Sequence, residues 1–295
     1  MFIVFSFLIS LNIFLTPPAI ATPNAYEEEF HSLLNKVRSD FRTRNVNSEI
    51  SRLEDLVELG QININYYGLG KGLFSYWRSV TSDYALSQIQ NSCKQNGELK
   101  TILKSEFNRS KNLSYHLNPN INVSVIDLDY VQEIFQILYG HDNEIVFSEY
   151  GNACESRAHK MSELMDQMCI EVGKVFIQSG KVQLKNHKFW WNYHVAPFVY
   201  VRNGETLTPY VFDPSIFKKA VPMLVWIDKL RESHLDNEYK ISLTNKYTIL
   251  PQDITYNLQE FKKDDLDTVE FRMMLRKALR VVRPFLTPLK DYSRD

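Results

Sequence analysis

Cysteine is scarce in this chain. Cys93, Cys154 and Cys169 are the only three in 295 residues, too few for the disulfide framework on which small exported domains depend. An odd set leaves at least one thiol free or paired between molecules. A Cys93–Cys169 bond leaves Cys154 over, and three reduced thiols are the alternative. Charge of either sign is not in excess either: 34 Lys and Arg stand against 35 Asp and Glu, so no global field draws in nucleic acid or an anionic membrane. Glycine is sparse, and the one cluster, Gly68, Gly70 and Gly72 in "GLGKG", fits neither the phosphate-loop nor the dinucleotide spacing. Beyond the N-terminus there is no apolar run long enough to span a bilayer.

The exception is the first fifteen residues, "MFIVFSFLISLNIFL", followed by "PPAIA" with Ala19 and Ala21 spaced for a small-residue cleavage site. Residues 1–21 are read as a removable signal peptide, with only the terminal amine as its positive start. An uncleaved anchor is the alternative, but the run falls short of the ~20 residues of a spanning helix. A secreted or periplasmic protein without a membrane span after signal removal is expected. At 44% hydrophobic and 13% aromatic residues the chain can bury a sizeable core in one large or two modest domains.

Residues 22–120 read as mainly helical: "YEEEFHSLLNKVRSDF" and "SEISRLEDLVEL" repeat apolar residues at three- and four-residue spacing. Asn118, Pro119 and Asn120 interrupt the pattern. From residue 121 to 295, strands and helices mix in an α+β order and end in a basic helix, "FRMMLRKALRVV", whose apolar stripe is expected to face the core with solvated arginines opposite. Asn108, Asn112 and Asn122 stand in glycosylation-type triplets.

The chemistry gathers around "GNACESRAHKMSELM". Asn152 can cap a helix, Glu155 can reach back as in a capping box, and Ala158, Met161, Met165, Met168 and Val172 form an apolar stripe. Cys154 then lies in the first helical turn, where the helix dipole and unpaired amides favour thiolate and can hold an oxyanion. A buried cysteine that merely packs is the bland alternative. A thiolate nucleophile needs an imidazole, and the imidazole an orienting group. The stretch "FWWNYHVAPFVYVRNGETLTPYVFDPSIF" reads as two strands about an Asn203-Gly204 turn. That turn pairs residues whose numbers sum to 407, so His194 faces Asp213 at ~5 Å between Cβ atoms. Taken singly, His194 is a core histidine and Asp213 a turn residue.

Three blocks then resemble the bacterial protein-glutaminases, which are similar to transglutaminases and papain-like enzymes in their catalytic core: Cys154 with Arg157-Ala158-His159-Lys160-Met161; Trp191-x-Tyr193-His194-Val195-Ala196; and Asp213-Pro214-Ser215-Ile216-Phe217, followed by Trp226. The resemblance implies a papain/transglutaminase-like α+β core over residues 121–295, with an antiparallel sheet and a nucleophile helix. It also implies Cys154 as nucleophile, His194 as acid–base, Asp213 as orienting carboxylate and His159 as a packing residue. The implied reaction is deamidation of glutamine side chains in proteins or peptides, with release of ammonia and without a metal or organic cofactor. Residues 22–120 become a pro-segment or an accessory domain, and a Cys93–Cys169 bond would tether them. The same three residues also suit a transglutaminase or a cysteine protease, and a non-catalytic binding module would keep the same fold.

Overall fold

The amphipathic spacing of the N-terminal third becomes three helices, α1 (Ala25–Asp40), α2 (Asn47–Glu58) and α3 (Lys71–Ser92). Phe30, Leu34 and Val37 of α1 stand four and three residues apart and meet Ile50, Leu53 and Leu56 of α2 and Trp77 of α3 in one apolar cluster. The computed structural model describes residues 25–286 apart from 42, 44–45, 60, 65–70, 93–97, 103–112, 119–120, 148–152, 186–189, 233 and 235–236. The signal-peptide segment 1–21, the cap residue Asn152, the glycines Gly68 and Gly70, Pro119, Asn120 and the triplet residues Asn108 and Asn112 lie outside the described residues.

After α3 the chain runs through β1 (Leu99–Thr101), β2 (Leu113–Leu117), β3 (Asn122–Asp127), α4 (Leu128–Gly140), α5 (Asp142–Ile145), α6 (Cys154–Gln167), β4 (Gly173–Val182), β5 (Trp191–Asn203), β6 (Thr206–Val211), β7 (Val221–Pro222), α7 (Met223–Arg231), β8 (Tyr239–Asn245) and α8 (Lys263–Leu286). The fold is α+β, and among the described residues an eight-stranded sheet is ordered β1-β3-β5-β4-β8-β2, with β6 and β7 joined through β5. The expected antiparallel sheet is present at its centre, where β4 pairs with β5 and β8. Parallel pairings of β3 with β5 and β2 with β8 make the whole sheet mixed. Helical character holds for α1, α2 and α3 of the 22–120 region, whereas β1 and β2 belong to the sheet.

β5 is the spine. Its middle is buried on both faces, so it reads as a nearly continuous apolar run rather than an alternating one. Val199 and Val201 enter a core with Phe135 of α4 and Met161 and Met165 of α6. Ala196, Phe198 and Tyr200 enter the opposite core with Trp226 and Ile227 of α7.

The β5–β6 hairpin turns one residue later than the Asn203-Gly204 reading. Asn203 pairs with Thr206 and Phe198 with Val211, so Gly204 and Glu205 form the turn. Gly204 has φ +60° while neither Asn203 nor Glu205 is left-handed. Glycine thus takes the first central position, as a type II′ turn requires, whereas an Asn-Gly type I′ turn needs positive φ at both. Cross-strand sums become 409 instead of 407. A shift of two residues preserves the face on which each side chain lies.

The helical region is fastened to the rest. Ala85 and Leu86 of α3 join the α4/α6 core, and Asn47 bridges Ser82 Oγ (2.6 Å) and the Gln136 carbonyl (3.2 Å). Gly140 permits α3 and α4 to meet, since a Cβ there would fall 1.6 Å from Ser82 Oγ. At the other end, α8 departs from its expected amphipathic order. Val269 and Met273 are buried, but Phe271, Met274 and Leu275 are exposed, and Arg272 turns inward to Glu155 rather than to solvent. Among the described residues no helix is long and apolar enough to cross a membrane.

Candidate active site

Cys154 begins α6, as the apolar stripe behind it predicts: Ala158, Met161, Met165, Met168 and Val172 are all buried, although the helix itself ends at Gln167. Ala153 occupies the cap position at φ +116° without a side-chain cap bond. A non-glycine residue held there is strained backbone directly before the sulfur. The capping-box role expected for Glu155 is not adopted. Its Oε2 instead accepts from Tyr193 Oη at 2.9 Å, and its carboxylate pairs with Arg272 of α8.

Cys154 is a free thiol and Cys169 is disulfide-bonded; Cys93 lies outside the described residues. Cys154 packs in one apolar cluster with Val195, Phe176, Ala158 and Ile254. It donates to Glu155 Oε2 at 3.4 Å and is hydrogen-bonded by the Val195 backbone N–H. The low thiol pKa expected from the helix start is not what this setting produces. Burial pushes the thiol up to about 11, against Arg157, the Val195 amide and Arg272, which favour the thiolate. Desolvation of the charged form outweighs the end of the helix.

His194 and Asp213 meet despite the shifted register, because a two-residue shift keeps both on one face and the chain stays beside β5 past Val211, with Phe212 N–H donating to the Pro197 carbonyl at 3.0 Å. His194 Nε2 donates to Asp213 Oδ2 at 2.8 Å, with both residues about 3% exposed. Trp226 Nε1 donates to the same oxygen at 2.8 Å, and Ser215 Oγ donates to Asp213 Oδ1. Burial alone would raise the Asp213 pKa, but His194, Ser215 and Trp226 together hold it below the usual carboxylate range. The imidazole is flanked by Trp191 and Trp226, at 5.6 and 5.7 Å between ring centroids. With Nε2 committed to Asp213, Nδ1 is buried without a hydrogen-bond partner.

The structure thus joins His194 to Asp213 by a hydrogen bond and sets Cys154 against Val195, the next residue along β5, without a bond between sulfur and imidazole. His159 sits on the body of α6, 1% exposed, paired with Glu163 at 3.2 Å and edge-on to Phe261. A cavity of about 280 Å³ opens beside the sulfur, lined by Cys154, Glu155, Trp190, Trp191, Asn192, Tyr193 and Arg272. The site roles of Glu155 and Arg272 escaped the reading of the sequence, which made one a capping-box residue and the other a solvated arginine, since 117 residues separate them. Among the described residues no group of three or more His, Cys, Asp or Glu side chains is placed to hold a metal ion.

Residues 128–230, from α4 to the last turn of α7, match the glutaminase family model. A crystal structure of pro-protein-glutaminase aligns at 15% identity over 65% of this chain and 66% of its own, with a TM-score of 0.44. A crystal structure of protein-glutaminase aligns at 17% identity over 58% of this chain and 94% of its own, with a TM-score of 0.40. The NMR structure of protein-glutaminase from Chryseobacterium proteolyticum aligns at 17% identity over 58% and 95%, with a TM-score of 0.37. No curated protein matches the chain. The segment that carries Cys154, His194, Asp213 and Trp226 is thus the one that is similar to the glutaminase family.

Proposed function

We propose that the chain deamidates glutamine side chains in proteins or peptides. The observation that carries this reading is a buried imidazole–carboxylate pair next to a helix-start cysteine within a segment similar to the glutaminase family. Cys154 Sγ, deprotonated by His194, attacks the side-chain carboxamide carbon and gives a tetrahedral adduct. Its oxyanion is met by backbone N–H groups at the start of α6, which have no intrahelical acceptor. The imidazolium returns the proton to the departing ammonia, leaving a thioester. Water then attacks the thioester carbon while His194 takes its proton, and the C–S bond breaks to free the glutamate side chain and return the Cys154 sulfur, which His194 reprotonates. Nδ1 is the ring nitrogen assigned to these transfers, because Nε2 is held by Asp213. The sulfur and imidazole close to bonding distance as substrate fills the cavity, since catalytic hydrogen bonds often tighten only in the substrate complex.

The N-terminal region is assigned as a retained accessory domain. Support comes from Ala85 and Leu86 in the α4/α6 core, from β2 in register with β8, and from a cavity whose described lining residues all come from positions 154–155, 190–193 and 272. Residues 1–21 are assigned as a signal peptide, which places the enzyme outside the cytoplasm. Incubation of the chain with an unfolded protein tests the reaction: ammonia without new peptide ends supports deamidation. Cross-linked product would indicate transglutamination, and new ends without ammonia a protease. Trimming to residue 121 tests the domain assignment, with loss of activity expected and a gain contradicting it.

A further inference from the structure

We infer that Arg272, on the last described helix, is a positioning residue that controls Cys154 through the carboxylate of Glu155. This rests on Cys154 being the nucleophile. Glu155 is 1% exposed and its two oxygens face different groups. Oε2 lies 3.4 Å from the Cys154 sulfur and accepts from Tyr193 Oη, while Oε1 is paired with Arg272 Nη1. Removing the thiol proton would set a thiolate against a buried carboxylate, an arrangement in which like charges disfavour ionisation. The Arg272 guanidinium neutralises that carboxylate from its far side and is always charged.

The remaining charged or titratable groups around the sulfur do not replace it. On α6, Arg157 favours thiolate; beyond β6, Asp213 opposes it. On β5, Tyr193 serves Glu155 as a neutral donor, and His194 is bound to Asp213. Arg272 approaches from α8, which is pinned there by Val269 and Met273 in the core and by a Lys160–Glu270 ion pair at 2.5 Å. Arg272 also lines the cavity beside Cys154, so the C-terminal helix completes a site whose other polar groups, from Cys154 to Trp226, lie between residues 154 and 226.

Alkylation of Cys154 in the full chain by iodoacetamide, followed by peptide mapping, tests the inference without a deamidation assay. At pH 9 thiolate is the minority form, so labelling rate follows its fraction, tenfold per unit of pKa. Arg272→Gln is expected to slow labelling about tenfold, Arg272→Lys to recover most of the rate, and Glu155→Gln to accelerate it. The Glu155→Gln/Arg272→Gln double variant should label close to the parent rate, because carboxylate and guanidinium are removed together. Thermal melts of each variant separate loss of fold from loss of charge. An unchanged rate in Arg272→Gln, or a double variant as slow as the single, would overturn the inference. Failure of ammonia release with this labelling pattern intact would count against the deamidase reading alone.

Discussion

Replacing Asp213 by asparagine separates two contributions that the site keeps together. The carboxylate accepts from His194 Nε2 and Trp226 Nε1 at Oδ2, both at 2.8 Å, and from Ser215 Oγ at Oδ1. An asparagine can therefore place its amide oxygen at the Oδ2 position and its NH₂ at the Oδ1 position, where the Ser215 hydroxyl can rotate to accept. The Trp226 N–H holds that orientation, so the histidine tautomer survives and only the charge is lost. Exchanging a charge-assisted hydrogen bond for a neutral one forfeits about 1–2 kcal/mol, which corresponds to a fall in kcat of roughly five- to thirtyfold. Adding Trp226→Phe removes the donor that fixes the amide and lets NH₂ face the ring. Turnover should then fall toward the ~10⁴-fold loss that the wrong histidine tautomer costs a serine–histidine–aspartate triad. Steady-state ammonia release and a thermal melt on the same samples measure both effects. A double variant no slower than Asp213→Asn would refute the tautomer argument, and an unchanged kcat in the single variant would remove Asp213 from the catalytic group.

Cys154→Ala should abolish ammonia release with little change in melting temperature, since the sulfur occupies the first turn of α6; residual turnover above background counts against the thioester route. Lys174 is fully buried, bonded to the Thr248 carbonyl at 3.0 Å, and burial lowers its pKa to about 7. Its folded value lies below the unfolded one, so the unfolded chain binds the extra proton between them and stability rises from about pH 7 upward. Lys174→Met should therefore stabilise the protein by up to about 5 kcal/mol at or below pH 7 and by less at pH 9, and melts with equal gains at both would contradict this. Gly140→Ala should lower stability by about 1–3 kcal/mol through overpacking against Ser82, measured by denaturant unfolding.

What could be read in the sequence was local. The α6 stripe and the hairpin carrying His194 and Asp213 follow from spacing within thirty or so residues, and both appear in the structure. The hairpin register was displaced because Asn-Gly admits two turn placements, and the left-handed Gly204 with an ordinary Asn203 selects the later one. Non-local features were opaque for a different reason. Parallel pairing of β2 with β8 joins Leu113 to Tyr239, and no periodicity within either strand names its partner. The Arg272–Glu155 pair is of the same kind. The thiol pKa was misjudged because a first-turn position can be inferred from pattern, whereas desolvation depends on the non-local apolar cluster that Phe176, Val195 and Ile254 form with Cys154.

The most direct test is deamidation of an unfolded protein in water enriched in heavy oxygen, with the products mapped by peptide mass spectrometry beside a Cys154→Ala control. The account predicts glutamine converted to glutamate with one heavy oxygen in the new side-chain carboxylate, no new chain ends, and no conversion in the control. Heavy oxygen at new C-termini, isopeptide cross-links in place of glutamate, or equal conversion by Cys154→Ala would contradict it.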